Sequence, residues 1–237
     1  MIFHNRQRNI ENYKNLVLKL NNLPIKRVRA FNFLGIVINE HMNWNDHISY
    51  TSQKINPVVG LLHRLKHQLP SHILKMIYNS LILSRLHYGN LLWGNTPGSI
   101  IRLNKRALRA IVNAGYNAHT NPIEKNLKLL SLPDIHQMKL LCLHKKITDN
   151  NVPNNISNMF KKLPGNSSVE PRTIAYKSSI RYTLPEYISK APTEILDKLS
   201  NSYACFKWNI KDYILERYSS LCTKIGCRAC HLATKID

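Results

Sequence analysis

Two short runs of branched and aromatic residues begin the pattern of apolar positions along the chain. Residues 16–22 read LVLKLNN and residues 29–39 read RAFNFLGIVIN, and Leu23-Pro24 separates them. Runs of this kind, bounded by turn residues, are typical of β-strands. The pattern therefore predicts one β-hairpin or small sheet near the amino end, and no other part of the sequence shows a convincing strand pair.

From Trp44 onward the apolar spacing changes to that of a helix. Apolar residues recur at intervals of three, four or seven and would line one face: Ile48, Ile55, Val59, Leu62, Leu65 and Leu69. We expect Asn43 or Asn45 to cap this helix. Pro57 lies inside the pattern and removes a backbone donor, which predicts a kink or a restart of the helix there.

A second and a third helix follow, each after a turn. Pro70-Ser71 ends the first helix, and Ser71 is the expected N-cap of a helix from residue 73 to about 92. The apolar residues of this second helix occupy nearly all of its faces, as in a helix at the centre of a bundle. A turn over residues 94–98 and a third helix over residues 99–113 come next.

The second half of the chain predicts two more helices and a long connection between them. Asp134 is the expected cap of a fourth helix, in which Met138, Leu141 and Lys145 share one face. Residues 150–187 are rich in Asn, Ser and Pro without a sustained period, which predicts an irregular connection. A last amphipathic helix over residues 203–218 would turn four residues toward a core: Phe206, Ile210, Tyr213 and Ile214.

Together these elements predict a mainly α fold, a helical bundle preceded by a small β-hairpin. At 237 residues, 43% of them hydrophobic, the chain is long enough to bury a core. An irregular connection and a short cysteine-containing tail would follow the bundle. The expected division is 1–43 for the hairpin region, 44–150 for the bundle, 151–221 for the irregular segment with its helix, and 222–237 for the tail.

Composition adds a strong electrostatic signal. The chain has 34 Lys and Arg against 13 Asp and Glu, which gives a formal net charge of +21 and a pI of about 10.0. An excess of this size is typical of proteins that bind polyanions. It favours DNA or RNA as the partner over an anionic membrane surface or a ribosome.

Neither export nor membrane insertion is expected. The first residues, MIFHNRQRN, lack the apolar run of a secretory signal. Residues 73–93 are the most apolar stretch, but Lys75, Asn79, Arg85 and His87 interrupt it, which predicts a buried helix rather than a spanning one. The 5 cysteines, an odd number, suit reduced thiols. We expect an intracellular protein, in cytoplasm or nucleus, without a membrane partner.

The third predicted helix divides into an apolar side and a cationic side. The apolar side consists of Leu103, Ala107, Ala110 and Ile111, and the cationic side consists of Arg102, Lys105, Arg106 and Arg109. No acidic residue interrupts positions 102–109, which favours contact with phosphate over an ordinary solvated face. A second basic cluster consists of His63, Arg64, Lys66 and His67. For this cluster, contact with phosphate and an ordinary solvated face are equally supported.

A longer set of motifs points to one family. It starts with FNFLGIVIN at residues 31–39 and HMNWNDHI at residues 41–48. The set continues with LKHQLP at 65–70, YNSLI at 78–82, Tyr88-Gly89, LWG at 92–94, NKRALR at 104–109 and NAHTNP at 117–122. These motifs resemble the segment just after the palm in non-LTR, LINE-like retrotransposon reverse transcriptases of the jockey and CR1 kind. The resemblance is strong over residues 1–150 and looser beyond them.

The resemblance implies a role in gripping nucleic acid. Phe33, Leu34 and Gly35 would belong to a hairpin similar to a primer grip, and the helices after it would form a thumb. The implied partners are RNA and DNA, as a template–primer hybrid held for a neighbouring palm. Such a hybrid is close to A-form, so a basic helical face would contact sugar and phosphate rather than read the sequence. From the residues alone, Gly35 either lets a backbone approach a ligand closely or relieves a bulge.

The sequence lacks the paired aspartates with which polymerases hold two catalytic metal ions, because it contains no Asp-Asp pair. We therefore predict no catalytic residue and no polymerase activity in the isolated chain, a fragment of an RNA-directed DNA polymerase, with Mg²⁺ bound only when a palm is complete. Two alternatives stay open. The chain is part of an active polymerase whose palm is encoded upstream, or it is a basic binding scaffold adopted by a host.

The carboxy-terminal tail offers four soft donors within ten positions: Cys222, Cys227, Cys230 and His231. Zinc binds such donors. Their spacing differs from that of a retroviral knuckle, which favours reduced thiols without metal over a zinc site. Cys142 and Cys205 fall at apolar helical positions and are predicted to be core residues.

Overall fold

The computed structural model of the protein describes residues 1, 3, 17–95, 98–161 and 179–218. Small antiparallel hairpins at the amino end are followed by helices, and the fold is mainly α. The predicted fold class is therefore confirmed.

The hairpin region differs from the prediction in where the chain turns. Among the described residues, four strands form two separate antiparallel pairs: β1 (Lys19–Leu20) with β2 (Leu23–Pro24), and β3 (Ala30–Phe33) with β4 (Ile36–Asn39). A hairpin that joins the two predicted runs is therefore wrong, because residues 29–39 form a hairpin by themselves around Leu34 and Gly35. Both turn residues have positive φ, 48° and 80°, as in the turns that match strand twist.

Helix α1 (Asn45–Leu65) runs without interruption through Pro57, so the predicted restart there is wrong. Gln53 and Pro57 are both exposed, and water can reach the carbonyl group that Pro57 leaves without a donor. Neither predicted asparagine is the N-cap, which is Trp44. Asn43 nevertheless supports the first turn, because its Oδ1 accepts a hydrogen bond from the Asn45 backbone at 3.2 Å.

The predicted helix over residues 73–92 is interrupted twice. Helix α2 begins after an N-cap at Pro70 rather than Ser71, and it continues through a π turn into α3. The chain then breaks at Tyr88 and Gly89 before α4. The bounds are α2 Ser71–Tyr78, the π turn Asn79–Leu83, α3 Ser84–His87 and α4 Asn90–Trp93.

Gly89 explains the break before α4. Its φ is 59°, and a Cβ at this position would lie 2.4 Å from Cδ1 of Ile36 on β4. Only glycine adopts this conformation readily and lets the strand pack so closely. Periodicity along a helix carries no information about a neighbour from a distant strand, and the prediction therefore missed the break.

Helix α5 (Ser99–Ile111) confirms the third predicted helix to within two residues, and the sequence did not predict α6 (Thr120–Asn126), which follows it. Helix α7 (Leu132–Thr148) is the fourth predicted helix, but its cap is Ser131 rather than Asp134. The Ser131 Oγ accepts a hydrogen bond from the Asp134 backbone at 3.4 Å. Asp134 lies in the first turn, where a carboxylate is favourable near the helix dipole.

The predicted irregular connection contains two helices, α8 (Asn154–Lys161) and α9 (Ile180–Lys190), so the prediction is wrong for these segments. Residues 162–178 lie outside the described residues. Helix α10 (Thr193–Leu196) and a 3₁₀ turn (Asp197–Ser200) lead to α11 (Tyr203–Glu216). Helix α11 confirms the last predicted helix.

The buried apolar side chains form two clusters. The first joins β4 to helices α1 through α6 around the fully buried Trp93. The second joins α7 to α10 and α11 and includes Phe206 and Ile210, as predicted. Burial of a side chain of this size contributes about 1.5–3 kcal/mol. The clusters adjoin at the start of α7, where Leu130 belongs to the second and Leu132 to the first.

The two cysteines with described positions differ in burial. Cys142 is buried in α7, as predicted, whereas Cys205 is exposed on α11 and its prediction as a core residue is wrong. The inward positions of α11 are Phe206, Ile210 and Ile214, four residues apart, and Cys205 lies one position off this row.

In the described part of the chain, every helix is too short or too polar to cross a membrane.

Candidate nucleic-acid interface

Asn39, the last residue of β4, fixes the hairpin to the start of α1. Its Nδ2 donates hydrogen bonds of 2.8 Å to Asn43 Oδ1 and to Asp46 Oδ2. Its Oδ1 accepts a hydrogen bond of 3.0 Å from the Asn43 backbone. Because Asn39 is buried and these bonds satisfy both ends of its amide, the strand and the helix are joined as one unit.

His47 makes a second connection between the hairpin and α1. The Val37 backbone N–H donates to His47 Nδ1 at 3.3 Å, and the ring lies 5.5 Å from that of Trp93. Burial lowers the pKa of the imidazole below its ordinary value. A neutral ring with an accepting Nδ1 fits the hydrogen bond from Val37. His47 and Asp46 belong to the HMNWNDHI motif, and their place at this junction gives the motif a structural reason.

The hairpin turn, defined as Phe33, Leu34 and Gly35, is exposed at its tip. Phe33 is 56% exposed and Leu34 is 75% exposed. The Tyr88 hydroxyl donates a hydrogen bond to the Leu34 carbonyl oxygen. A Cβ at Gly35 would lie 3.3 Å from Cε1 of Tyr88. The strand register contains no bulge at Gly35, so the Tyr88 ring is the neighbour that requires a glycine there, and contact of Gly35 with a ligand stays a prediction.

A cavity of about 280 Å³ lies beside the hairpin turn, between α1 and α3. We call it the turn cavity; it is lined by Gly35, His47, Tyr50, Thr51, Lys54, Ser84, Arg85 and Tyr88. Arg85 Nη1 donates a 2.7 Å hydrogen bond to the Lys54 carbonyl oxygen, and Lys54 Nζ lies 4.3 Å from the centre of the Tyr50 ring. Two cations and no acidic side chain line this cavity, which makes it suited to an anion.

The sequence pattern predicts no role for Lys54 or Arg85. The two residues are 31 positions apart, and only the packing of α3 against α1 brings them together. The one local signal was the four-residue spacing of Tyr50 and Lys54, which places an aromatic ring and an ammonium on the same helix face.

Helix α5 has the two sides that the sequence predicted. Arg102 and Arg106 are exposed, Lys105 and Arg109 are half-buried, and the opposite side is buried: Leu103, Ala107, Ala110 and Ile111. Arg109 is also tied to the protein, because its Nε donates to the Ala118 carbonyl oxygen at 2.7 Å. Burial lowers the pKa of its guanidinium. Arg109 therefore holds the loop after α5 and is less free than Arg102 or Arg106 to bind a ligand.

Helices α1 and α5 pack against each other, and this packing brings His63 of one basic cluster near Arg106 of the other. Burial lowers the pKa of His63, and the charges of Lys66 and Arg106 lower it further. One imidazole therefore lies near a cation from each cluster. We call the combined set the α1–α5 basic surface; its members are His63, Arg64, Lys66, Arg102, Lys105 and Arg106.

The hairpin turn and helix α5 lie on different sides of α1. Tyr50 and Lys54 face the turn cavity. Ser52 and Asn56 instead line an open groove of about 530 Å³ that they share with Ser99 of α5. The structure thus brings together the two basic clusters but not the hairpin turn, which has its own cations in the turn cavity.

A buried carboxyl group lies beneath the α1–α5 basic surface. Glu124 on α6 is 1% exposed, and burial raises its pKa to about 7, although the nearby Lys105 opposes the rise. Lys105 therefore serves partly as the counterion of Glu124. Arg102 and Arg106 are the members of the surface with the greatest freedom to meet phosphate.

The four tail residues proposed as zinc ligands, Cys222, Cys227, Cys230 and His231, lie outside the described residues. Within the ranges that the structure does describe, no group of three or more His, Cys, Asp or Glu side chains could hold a metal ion.

No protein-family model matches the sequence, and neither the curated proteins nor the solved structures contain a match to it.

Proposed function

We propose that this chain binds the phosphate backbone of a template–primer duplex and acts as the thumb-like grip of a reverse transcriptase of the non-LTR retrotransposon kind. The observation that carries the proposal is the packing of α1 against α5, which brings the basic clusters of the two helices near each other at His63 and Arg106. Basic clusters from distant parts of a sequence need not come together in the fold. A site for a polyanion, however, needs them close to each other.

The direction of the two helices supports this function. Ser99, at the start of α5, lines the same groove as Ser52, and Arg106, near the end of α5, is close enough to His63 to lower its pKa. The helices therefore run side by side in the same direction, with their basic ends together. Long, flexible arginine and lysine side chains on such a surface reach phosphate oxygens without reading base edges.

The turn cavity supplies a second contact in the proposed function. Lys54 and Arg85 lie beside the exposed hairpin turn, on the other side of α1 from α5. The resemblance to the primer-grip hairpin supports this assignment for Phe33, Leu34 and Gly35. A duplex that meets both surfaces would have its two strands held from either side of one helix.

Titration of the full chain with a blunt RNA–DNA hybrid, labelled for fluorescence anisotropy, tests the proposal. We expect the logarithm of the affinity to fall linearly with the logarithm of salt concentration between about 50 and 200 mM. The double variant Arg102→Ala with Arg106→Ala should lower the magnitude of that slope by about 2, one unit for each lost phosphate contact. Hybrids of different sequence should bind with similar affinity.

The control is a second double variant, Lys190→Ala with Lys198→Ala, which removes the same charge from exposed positions outside the proposed surfaces. Its salt slope should stay close to that of the unchanged chain. Equal slopes in the two double variants would contradict the proposal. Binding to anionic lipid vesicles without binding to the hybrid would also contradict it and would favour a membrane surface as the partner.

A further inference from the structure

Trp208 is a large aromatic side chain that the fold leaves on the surface. It is 63% exposed on α11, whereas Trp93 is fully buried. The inward row of α11 is filled by Phe206 and Ile210. Packing of the second core cluster therefore does not account for a tryptophan at this position.

A cavity of about 480 Å³ lies against the Trp208 side chain, between α11 and the segment that connects α6 to α7. We call it the tryptophan cavity; its lining consists of Lys125, Lys128, Trp208, Lys211, Asp212, Leu215 and Glu216. An aromatic ring at a cavity wall with three ammonium groups around it has the elements of a site for a nucleobase and its flanking phosphates.

Within the part of the chain that the structure describes, the charged groups of the tryptophan cavity are not paired with one another or with other residues. Lys125, Lys128 and Lys211 form no ion pair with any described residue, and neither do Asp212 and Glu216. Three cations against two carboxylates leave the lining positive. The two carboxylates lie on α11 together with Lys211, whereas the opposite wall of the lining is formed by Lys125 and Lys128, so that wall is the more positive one.

The tryptophan cavity lies near the α1–α5 basic surface. Lys105 of α5 acts on Glu124 of α6, and Lys125 of the cavity is the next residue along that helix. On its other side, Lys211 lies in a group of cations with Lys139, which together lower the pKa of His87 after the larger effect of burial. Helices α5, α6 and α11 therefore each place a lysine in this region: Lys105 beside Glu124 of α6, and Lys125 and Lys211 on the cavity lining.

We propose that the tryptophan cavity binds a single-stranded nucleic acid, with one base stacked on the indole of Trp208 and its phosphates on Lys125, Lys128 and Lys211. A single strand is favoured over a duplex because the faces of its bases are free to stack, whereas in a duplex neighbouring base pairs cover them. This inference rests on the proposed function and deepens it: the basic surface holds paired strands, and the cavity holds an unpaired extension of one strand.

The test uses the full chain and four labelled ligands: an oligothymidylate, an abasic strand of the same length, a blunt RNA–DNA hybrid and the same hybrid with a single-stranded overhang. Trp208→Leu removes the aromatic face but keeps an apolar side chain, and Trp208→Phe keeps an aromatic face. Because Trp208 is exposed, neither change should unfold the protein, and circular dichroism checks this.

We expect Trp208→Leu to weaken binding of the oligothymidylate and of the overhang hybrid on the order of 10-fold, and Trp208→Phe to weaken it much less. The abasic strand should bind the unchanged chain on the order of 10-fold more weakly than oligothymidylate, and Trp208→Leu should then cause no further loss. Oligothymidylate should also quench the tryptophan fluorescence of the unchanged chain more than that of Trp208→Leu.

Equal affinity of Trp208→Leu and the unchanged chain for oligothymidylate would overturn the inference, and so would equal affinity of the unchanged chain for the abasic strand and oligothymidylate. The blunt hybrid separates this failure from that of the proposed function. If the blunt hybrid binds through Arg102 and Arg106 but single strands ignore Trp208, the proposed function stands and the inference fails. If single strands bind through Trp208 but the blunt hybrid does not bind, the inference stands and the duplex grip fails.

Discussion

The hydroxyl of Tyr88 and the carbonyl oxygen of Leu34 form a hydrogen bond between residues that are 54 positions apart. It ties the tip of the β3–β4 hairpin to the end of α3, beside the cations of the turn cavity. The exposed hairpin turn is thereby held at its tip as well as at its base.

Removal of this bond should loosen the hairpin without disturbing the core. We expect Tyr88→Phe to lower the free energy of unfolding by about 0.5–1.5 kcal/mol, because the Leu34 carbonyl oxygen loses its donor while the ring contact with Gly35 stays. Urea denaturation measures the change. The control is Tyr116→Phe, since Tyr116 is 80% exposed and its hydroxyl bonds to no described residue. An equal effect of the two changes would show that the hydrogen bond does not contribute to stability.

Replacement of Gly89 and of Gly60 by alanine should have opposite effects on the stability of the protein. Gly89→Ala introduces a Cβ at positive φ, 2.4 Å from Ile36 Cδ1, and should destabilise the protein by about 1–3 kcal/mol. Gly60 lies in the interior of α1 with nothing within 4 Å of the added carbon, so Gly60→Ala should stabilise by about 0.5–1 kcal/mol. Thermal unfolding of both variants decides the matter. A stable Gly89→Ala variant would contradict the close packing of β4 against the break before α4.

Glu124 should make the stability of the protein decrease as the pH rises toward neutrality. Burial raises the pKa of its carboxyl group from 4.5 to about 7, so the protonated form is favoured in the folded state. Its contribution to stability is complete below pH 4.5 and is lost as the pH rises through 7.

Glu124→Gln tests this pH dependence. Glutamine stays neutral, so the loss of stability between about pH 5 and 8 should shrink by about 1–3 kcal/mol relative to the unchanged chain, as measured by urea denaturation at each pH. The control is Glu186→Gln, because the Glu186 side chain is 43% exposed. This change should leave the dependence of stability on pH nearly unchanged. Identical profiles for Glu124→Gln and the unchanged chain would mean that Glu124 is charged and well solvated in the folded protein.

Cys205 and Cys142 should differ in their reaction with an alkylating reagent. Cys205 is exposed, whereas burial raises the pKa of the Cys142 thiol and hinders access to it. Mass spectrometry of the digested protein should find Cys205 modified much sooner than Cys142, and unfolding in urea should remove the difference. Modification of both at the same rate in the folded protein would contradict the packing of α7 against α11.

Lys54→Ala tests the part of the turn cavity in the proposed function. If Lys54 contacts a phosphate, the variant should bind the RNA–DNA hybrid more weakly and lower the magnitude of the salt slope by about 1. Its stability should change little, since the side chain is exposed and its main contact is the face of Tyr50. A salt slope equal to that of Lys190→Ala would confine hybrid binding to the α1–α5 basic surface.

Local patterns in the sequence were sufficient to predict the helices that pack against the core along one face. Helix α5 was predicted to within two residues, because its apolar and basic positions alternate with a helical period. This period is visible in the sequence without knowledge of the elements that pack against the helix. The inward row of α11 was predicted for the same reason. The cap of α7 was misplaced by three residues, because Ser131 and Asp134 are both good capping residues and form a 2.5 Å hydrogen bond with each other.

Contacts between distant segments account for the features that the sequence did not reveal. The break at Gly89 depends on Ile36, and the turn cavity depends on the approach of Arg85 to Lys54. The family resemblance placed Leu34 and Gly35 in a hairpin, but the pattern of apolar positions did not predict the turn, because it lies inside an apolar run without the Asn or Asp that usually marks a hairpin turn. In the sequence, Trp208 is one more aromatic residue of an amphipathic helix. Only its exposure in the structure distinguishes it from the buried aromatic residues.

The three hydrogen bonds of Asn39 have a mechanical consequence. They make the base of the hairpin and the first turn of α1 a single stiff joint. With the Tyr88 hydrogen bond at its tip, the hairpin is therefore anchored at both ends and has little freedom to swing relative to α1.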